Sequence, residues 1–182
     1  AIDDIMSKLA NIAGATNQLQ GDLFEYIVAE TVRIGSKDVE VGKICKSLKG
    51  ETAECDVLSL NGHAKITFIE CKGYKPYSTV RHEDVKKWIG KQVPVFFSYA
   101  KREYPNAEIN VQLWTTGKLC DDSRESLRKF QENNLTNQRY NITVMEPHEV
   151  CARIKATRND ALIRVFDKHF LSYPEKIVRR KH

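Results

Sequence analysis

Lys65-Ile-Thr-Phe-Ile-Glu-Cys-Lys-Gly-Tyr74 is a short apolar strand that ends on charge. Side chains alternate along a strand, so Glu70 and Lys72 leave from one face, two positions apart, beyond Ile66, Phe68 and Ile69. A buried strand has no structural need for such a pair. Burying an ion is costly unless it is paired or holds a metal, so these two residues call for a chemical explanation.

Turn signals on the N-terminal side extend this strand into a meander. Asn61-Gly62 separates it from a strand over Thr52 to Leu60, and Lys49-Gly50 separates that one from a strand over Val39 to Lys46. The length of the Asn61-Gly62 loop decides what Glu70 meets. A two-residue turn pairs Leu60 with His63 and puts Asp56 on the face away from Glu70 and Lys72. A three-residue loop with Gly62 in the left-handed region shifts the pairing, so that Glu54, Asp56, Phe68, Glu70 and Lys72 share a face. Asp56 and Glu70 are then expected as diagonal neighbours, about 7–8 Å apart. The three-residue loop is the expectation.

Upstream, Asp22 to Ile34 has helical periodicity, with Leu23, Phe24, Ile27, Val28, Thr31 and Ile34 in an apolar stripe and Gly35 as its stop. Glu25 falls at the edge of that stripe, between Val32 and Ala29, where a carboxylate is out of place. Two readings stay open for it and do not exclude each other: the N3 position of a capping box opened by Asp22, or a site role. Ile2 to Ala13 reads as a short amphipathic helix, and Gly14 to Gln20 as a break.

Downstream, Tyr74-Lys-Pro-Tyr77 is a polar connection into a helix from Ser78 or Thr79 to Ile89, ended by Gly90. Val93 to Tyr99, Glu108 to Trp114 and Asn141 to Met145 read as strands, and Asp121 to Glu132, Pro147 to Lys155 and Asn159 to Phe170 as helices. A meander followed by alternating helices and strands indicates an α/β sheet with helices on both faces. No repeat or linker divides residues 1–182, so a single domain is expected.

Composition narrows the function classes. Lys plus Arg exceed Asp plus Glu by 29 to 24, a net charge of +5 that favours an anionic partner. The five cysteines are odd in number and lack CxxC spacing, which points to reduced thiols in a cytoplasmic setting rather than a disulfide framework or zinc site. No apolar run approaches the roughly 18 residues of a membrane span, and no signal-peptide core is read ahead of the fold. His63, His82, His148, His169 and His182 have no ligand spacing.

A hard divalent cation such as magnesium takes oxygen ligands, typically one or two carboxylates plus water and phosphate. Asp56 and Glu70 supply carboxylates, and the Cys71 carbonyl a third oxygen. Lys72 beside them holds or deprotonates an attacking water and stabilises charge on a phosphate, while Glu25 reaches outer waters or a second ion. Tyr74, Lys75 and Tyr77 are candidates for nucleic-acid contact, as are Lys86 and Lys87 on the next helix, where Glu83 is a further candidate assistant. The competing reading of Glu70 and Lys72 is an ion pair that blunts a sheet edge. Asp56 on the neighbouring strand and Glu25 on the preceding helix favour the site.

Asp56, then Glu70-Cys-Lys72, with Glu25 on the preceding helix, resembles the PD-(D/E)XK nuclease superfamily. Gly21-Asp-Leu-Phe-Glu25 and Phe68-Ile-Glu-Cys-Lys-Gly73 are similar in style to Mrr-like restriction endonucleases and archaeal Holliday-junction resolvases. The resemblance departs at Cys55, where a proline is frequent. It implies a restriction-endonuclease-like mixed sheet whose core, at about 20–100, runs helix, three-stranded antiparallel meander, helix, strand, with 108–172 as an extension. It also implies a magnesium- or manganese-dependent endonuclease, a hydrolase of phosphodiester bonds acting on DNA ahead of RNA. The alternatives are a tRNA-cutting toxin with an inhibitor protein as partner, and a non-catalytic binding module on the same fold. Cutting both strands of a duplex would favour a two-fold homodimer.

Overall fold

The computed structural model describes residues 17–36, 38–134 and 140–171. The expected helix over Ile2 to Ala13 and the basic run from Lys176 to Lys181 lie outside the described residues. Helix α1 covers Asn17–Arg33, and the meander follows as β1 (Asp38–Lys46), β2 (Thr52–Asn61) and β3 (Lys65–Lys72). Next come α2 (His82–Lys87), a π-helical turn at Trp88–Gln92 and α3 (Val93–Glu103). Then follow β4 (Glu108–Thr115), α4 (Asp121–Asn134), β5 (Tyr140–Met145), α5 (Pro147–Ala156), α6 (Asp160–Phe166) and a last π-helical turn at Asp167–Leu171.

The five strands form one mixed sheet in the order β1-β2-β3-β4-β5. The pairs β1/β2 and β2/β3 are antiparallel, and β3/β4 and β4/β5 parallel. Helices cover both faces, each over its own core. On one face Val85 of α2, Trp88, Val93 and Phe96 of α3 and Leu127 of α4 pack on Leu58, Ile66 and Phe68, with the Phe68 and Phe96 rings stacked at 4.9 Å. On the other, Leu23, Phe24 and Ile27 of α1 meet Val57, Ile69, Cys71 and the helices α5 and α6. β3 is buried along nearly its whole length because it is the middle strand, which accounts for its apolar run.

Several expectations are corrected. Val93 to Tyr99 is helix, not strand. Its Val and Phe content mimics a strand, but Val93, Phe96 and Ala100 are buried at helical spacing. Gly90 does not end the preceding helix either. The chain passes it in the π-helical turn, where the Val93 N–H reaches the Trp88 carbonyl, and this wider turn accommodates Pro94, which lacks an N–H. That helix starts at His82 because Thr79 is held extended in a bridge to Lys118. Finally, α1 already includes Asn17, so Asp22 lies inside it and cannot be the N-cap of a capping box. Gln20, placed in the expected break, is helical too.

The loop between β2 and β3 has three residues, with Asn61 opposite Lys65 and Gly62 at φ 59°. The expected loop length therefore holds, while the register differs in detail. The last ladder pair is Val57 with Ile69, which sets Asp56 directly opposite Glu70 rather than diagonal to it.

Candidate active site at the fork between β2 and β3

Past Val57 and Ile69 the two strands part. β2 continues against β1 alone, and β3 against β4 alone. Asp56 and Glu70 stand at the mouth of this fork. In place of a ladder bond, Asp56 Oδ2 accepts the Cys71 N–H at 2.8 Å. A strand residue directs its N–H and C=O to the same side, so the Cys71 carbonyl also faces the fork. The Lys72 carbonyl points the other way and accepts the Thr116 N–H at 3.1 Å, as alternation requires.

A shared distortion opens the fork. Ala53 and Cys55 belong to the core beneath α2 and α3, Val57 to the core beneath α1, and Leu58 to the first again. Alternation thus slips at Asp56. Its counterpart on β1, between the pairs Val41/Val57 and Lys43/Cys55, is Gly42, whose φ of 67° only glycine adopts freely. The slip sends Glu54 away from the Phe68 face, which corrects the expected shared face for that residue. It turns Asp56 toward β3.

Glu25 reaches the same point from α1, where burial and the nearby Asp56 carboxylate raise its pKa. Its helix can come close because residue 73 is glycine: a Cβ there would lie 2.4 Å from Phe24 Cβ, a rigid neighbour with no room to yield. Lys72 Nζ sits 3.3 Å from Glu70 Oε1. Glu25, Asp56, Glu70 and Lys72 therefore form one cluster at the carboxyl end of β3, as the sequence reading expects.

The electrostatics of this cluster are unbalanced. Burial and the nearby Asp56 carboxylate push Glu70, only 5% exposed, up to about 8. Burial, Asp56 and Asp22 push Glu25 up to about 8 as well. Asp56 is raised by burial against the opposing pull of the Cys71 N–H and Lys72. Burial opposes the charge on Lys72, but Glu70 and, behind it, Tyr74 outweigh that and hold its pKa above the usual value. Among the described residues, three carboxyl groups thus share one ammonium, and Glu70 Oε2 is buried without a hydrogen-bond partner. Such an atom is costly unless something ligates it.

These residues fit a hard divalent cation. Asp56, Glu70 and the Cys71 carbonyl present oxygens to one fork, and such a cation asks for few protein ligands beyond them. Among the described residues no group of three or more His, Cys, Asp or Glu side chains is placed to hold a metal ion. A set of two carboxylates and a carbonyl is not of that kind.

Known protein families and curated proteins offer no match to this chain.

The remaining candidates divide. Tyr74 is half-buried, with its N–H on Thr116 Oγ1 at 2.7 Å and its hydroxyl held above its usual pKa by burial and, among the nearby charges, by Asp84. It supports the fork rather than offering an open ring. Tyr77 is 71% exposed. Lys75, Lys86 and Lys87 are exposed, and among the described residues no hydrogen bond or ion pair ties them to the fork. Glu83 is exposed too, and Asp84 is the α2 carboxylate that reaches toward Lys72. Asp84 is itself held by Arg81, at 3.2 Å from both Nε and Nη2. The sequence reading did not single out Asp84. Cys55 and Cys71 are buried thiols raised well above their usual pKa, which makes them inert core residues. Among the described residues no helix is long and apolar enough to cross a membrane.

Proposed function

We propose that this chain is a metal-dependent nuclease that hydrolyses phosphodiester bonds, with DNA ahead of RNA as substrate. The observation that carries the reading is the cluster at the fork: Asp56, Glu70 and Glu25 around Lys72, with Glu70 Oε2 buried and without a hydrogen-bond partner among the described residues. The element order supports it as well. Helix, antiparallel meander, helix and strand is the order of the PD-(D/E)XK core, once the strand after the second helix is moved from 93–99 to Glu108–Thr115.

In this reading Asp56, Glu70 and the Cys71 carbonyl hold magnesium or manganese, which supplies Lewis-acid chemistry at the phosphate. Lys72 stays protonated, orients water through its ammonium and offsets the negative charge that grows on the phosphate oxygens. Glu25, whose carboxyl holds a proton near neutral pH, is placed to exchange protons with water at the fork. Gly73 and Phe24 fix the approach of Glu25, and Tyr74 with Asp84 flanks Lys72. The test is DNA hydrolysis with magnesium or manganese by the wild-type chain and Lys72→Ala. Cutting lost in a variant that melts like wild type supports the assignment, and equal cutting removes Lys72 from the chemistry.

A further inference from the structure

Next to the fork lies a cleft of about 370 Å³, lined by Pro76, Tyr77, Thr116, Lys118, Pro147 and Phe170 among others. Its volume falls at the low end of small-ligand sites. Thr116 joins it to the fork: its N–H donates to the Lys72 carbonyl at 3.1 Å, and its hydroxyl accepts from the Tyr74 N–H at 2.7 Å and donates to the Tyr74 carbonyl at 3.0 Å. The backbone of Tyr77 is held at φ 66°, a conformation that bulky side chains avoid and that collects at functional sites. Tyr77 lines the cleft and is exposed rather than buried in the core. The walls are flat and apolar, with a tyrosine, two prolines and a phenylalanine, and the exposed Lys118 adds a cation.

Flat apolar walls, an exposed aromatic ring and a nearby cation are the features that hold a nucleobase and its phosphate. A base inside a continuous duplex cannot enter a side cleft unless it is unpaired or flipped out. We propose that the cleft takes one unstacked nucleobase of the strand whose phosphate lies at the fork, so that the preferred substrate carries an unpaired nucleotide beside the cut. The inference rests on the nuclease reading for its strand and deepens it. It separates Tyr77, the stacking ring, from Tyr74, the support.

The test is binding in chelator, which needs no catalysis. Oligonucleotides with a single 2-aminopurine, as single-stranded DNA, single-stranded RNA and fully paired duplex, are titrated with wild-type protein, Tyr77→Ala and Tyr77→Phe. The expected result is quenching of the probe and binding at least about tenfold tighter for a single strand than for duplex. Tyr77→Ala should lose about tenfold while melting as wild type does, and Tyr77→Phe should restore binding, because stacking needs the ring and not the hydroxyl. Preference for the DNA or the RNA strand supports the cleft equally and names the sugar. Duplex bound as tightly as single strand, or wild-type affinity in Tyr77→Ala, overturns it. A parallel cleavage assay with magnesium keeps the two readings apart. Cutting with no effect of Tyr77 refutes the cleft alone, and Tyr77-dependent binding with no cutting refutes the nuclease alone.

Discussion

Raising the pH in the absence of metal should weaken this protein, and Glu70→Gln should relieve the loss. Glu70 holds its proton in the folded chain up to about 8, whereas in the unfolded chain it ionises near its usual value of 4.5. Between those limits the folded state binds more protons than the unfolded one, so stability is fully present below the unfolded pKa and is lost as pH rises through the folded value. Each pH unit in that window removes about 1.4 kcal/mol per carboxyl. From pH 6.5 to 8 Glu70 alone takes away about 2 kcal/mol, and Glu25, with the same sign but partly solvated, adds less. Starting at pH 6.5 avoids His169, whose pKa is lowered by burial and whose effect runs the opposite way at lower pH. For a chain of this size the loss corresponds to a melting temperature about 4–8 °C lower. Glu70→Gln keeps the shape and cannot ionise. Chelated, it should melt above wild type at pH 8 and match it more closely at pH 6.5, while magnesium should raise the wild type more at pH 8 than at pH 6.5 and leave the variant unmoved. Thermal melts at the two pH values, with chelator and with magnesium, read all of this. A chelated wild type whose melting temperature is flat or rising from pH 6.5 to 8, or a Glu70→Gln protein less stable than wild type at pH 8, refutes the reasoning.

Gly73→Ala should cost about 1–3 kcal/mol, because the new Cβ overlaps Phe24 Cβ at 2.4 Å and pushes α1 from the fork; denaturant unfolding measures the first effect, and a falling rate of cleavage the second. Phe68→Ala, which removes a buried ring stacked on Phe96, should destabilise by about 3–5 kcal/mol in the same unfolding assay. Lys72→Ala should lower the single-turnover rate of cleavage by about 10²–10³ fold with little change in nucleic-acid affinity, since the ammonium acts on charge that grows during reaction.

The site was legible where its signal was local. Glu70 and Lys72 stand out in an apolar strand, Gly62 announces the loop that brings Asp56 across, and Glu25 sits on the wrong edge of its helix; all four residues meet at the fork. What escaped depended on three dimensions. The face-sharing argument assumed ideal alternation, and the left-handed Gly42 breaks it opposite Asp56. Val93-Pro-Val-Phe-Phe carries strand-forming residues, yet packing against the sheet makes it helix, and only a π-helical turn lets the chain pass Gly90 and Pro94. Asp84 has no spacing signal at all, because its tie to Tyr74 is made between a loop and a helix.

In the proposed function the carboxylates at the fork hold the cation that phosphodiester hydrolysis needs. Its most direct test is a cleavage assay of wild type and Asp56→Asn on supercoiled plasmid and on bulk tRNA, each with magnesium, manganese or chelator. The expected result is metal-dependent cutting by the wild type, abolished by chelator and lost in Asp56→Asn, with the polymer that is cut naming the substrate. Folded wild-type protein that cuts neither polymer with either metal, or cutting that survives chelator or the Asp56→Asn change, would contradict it.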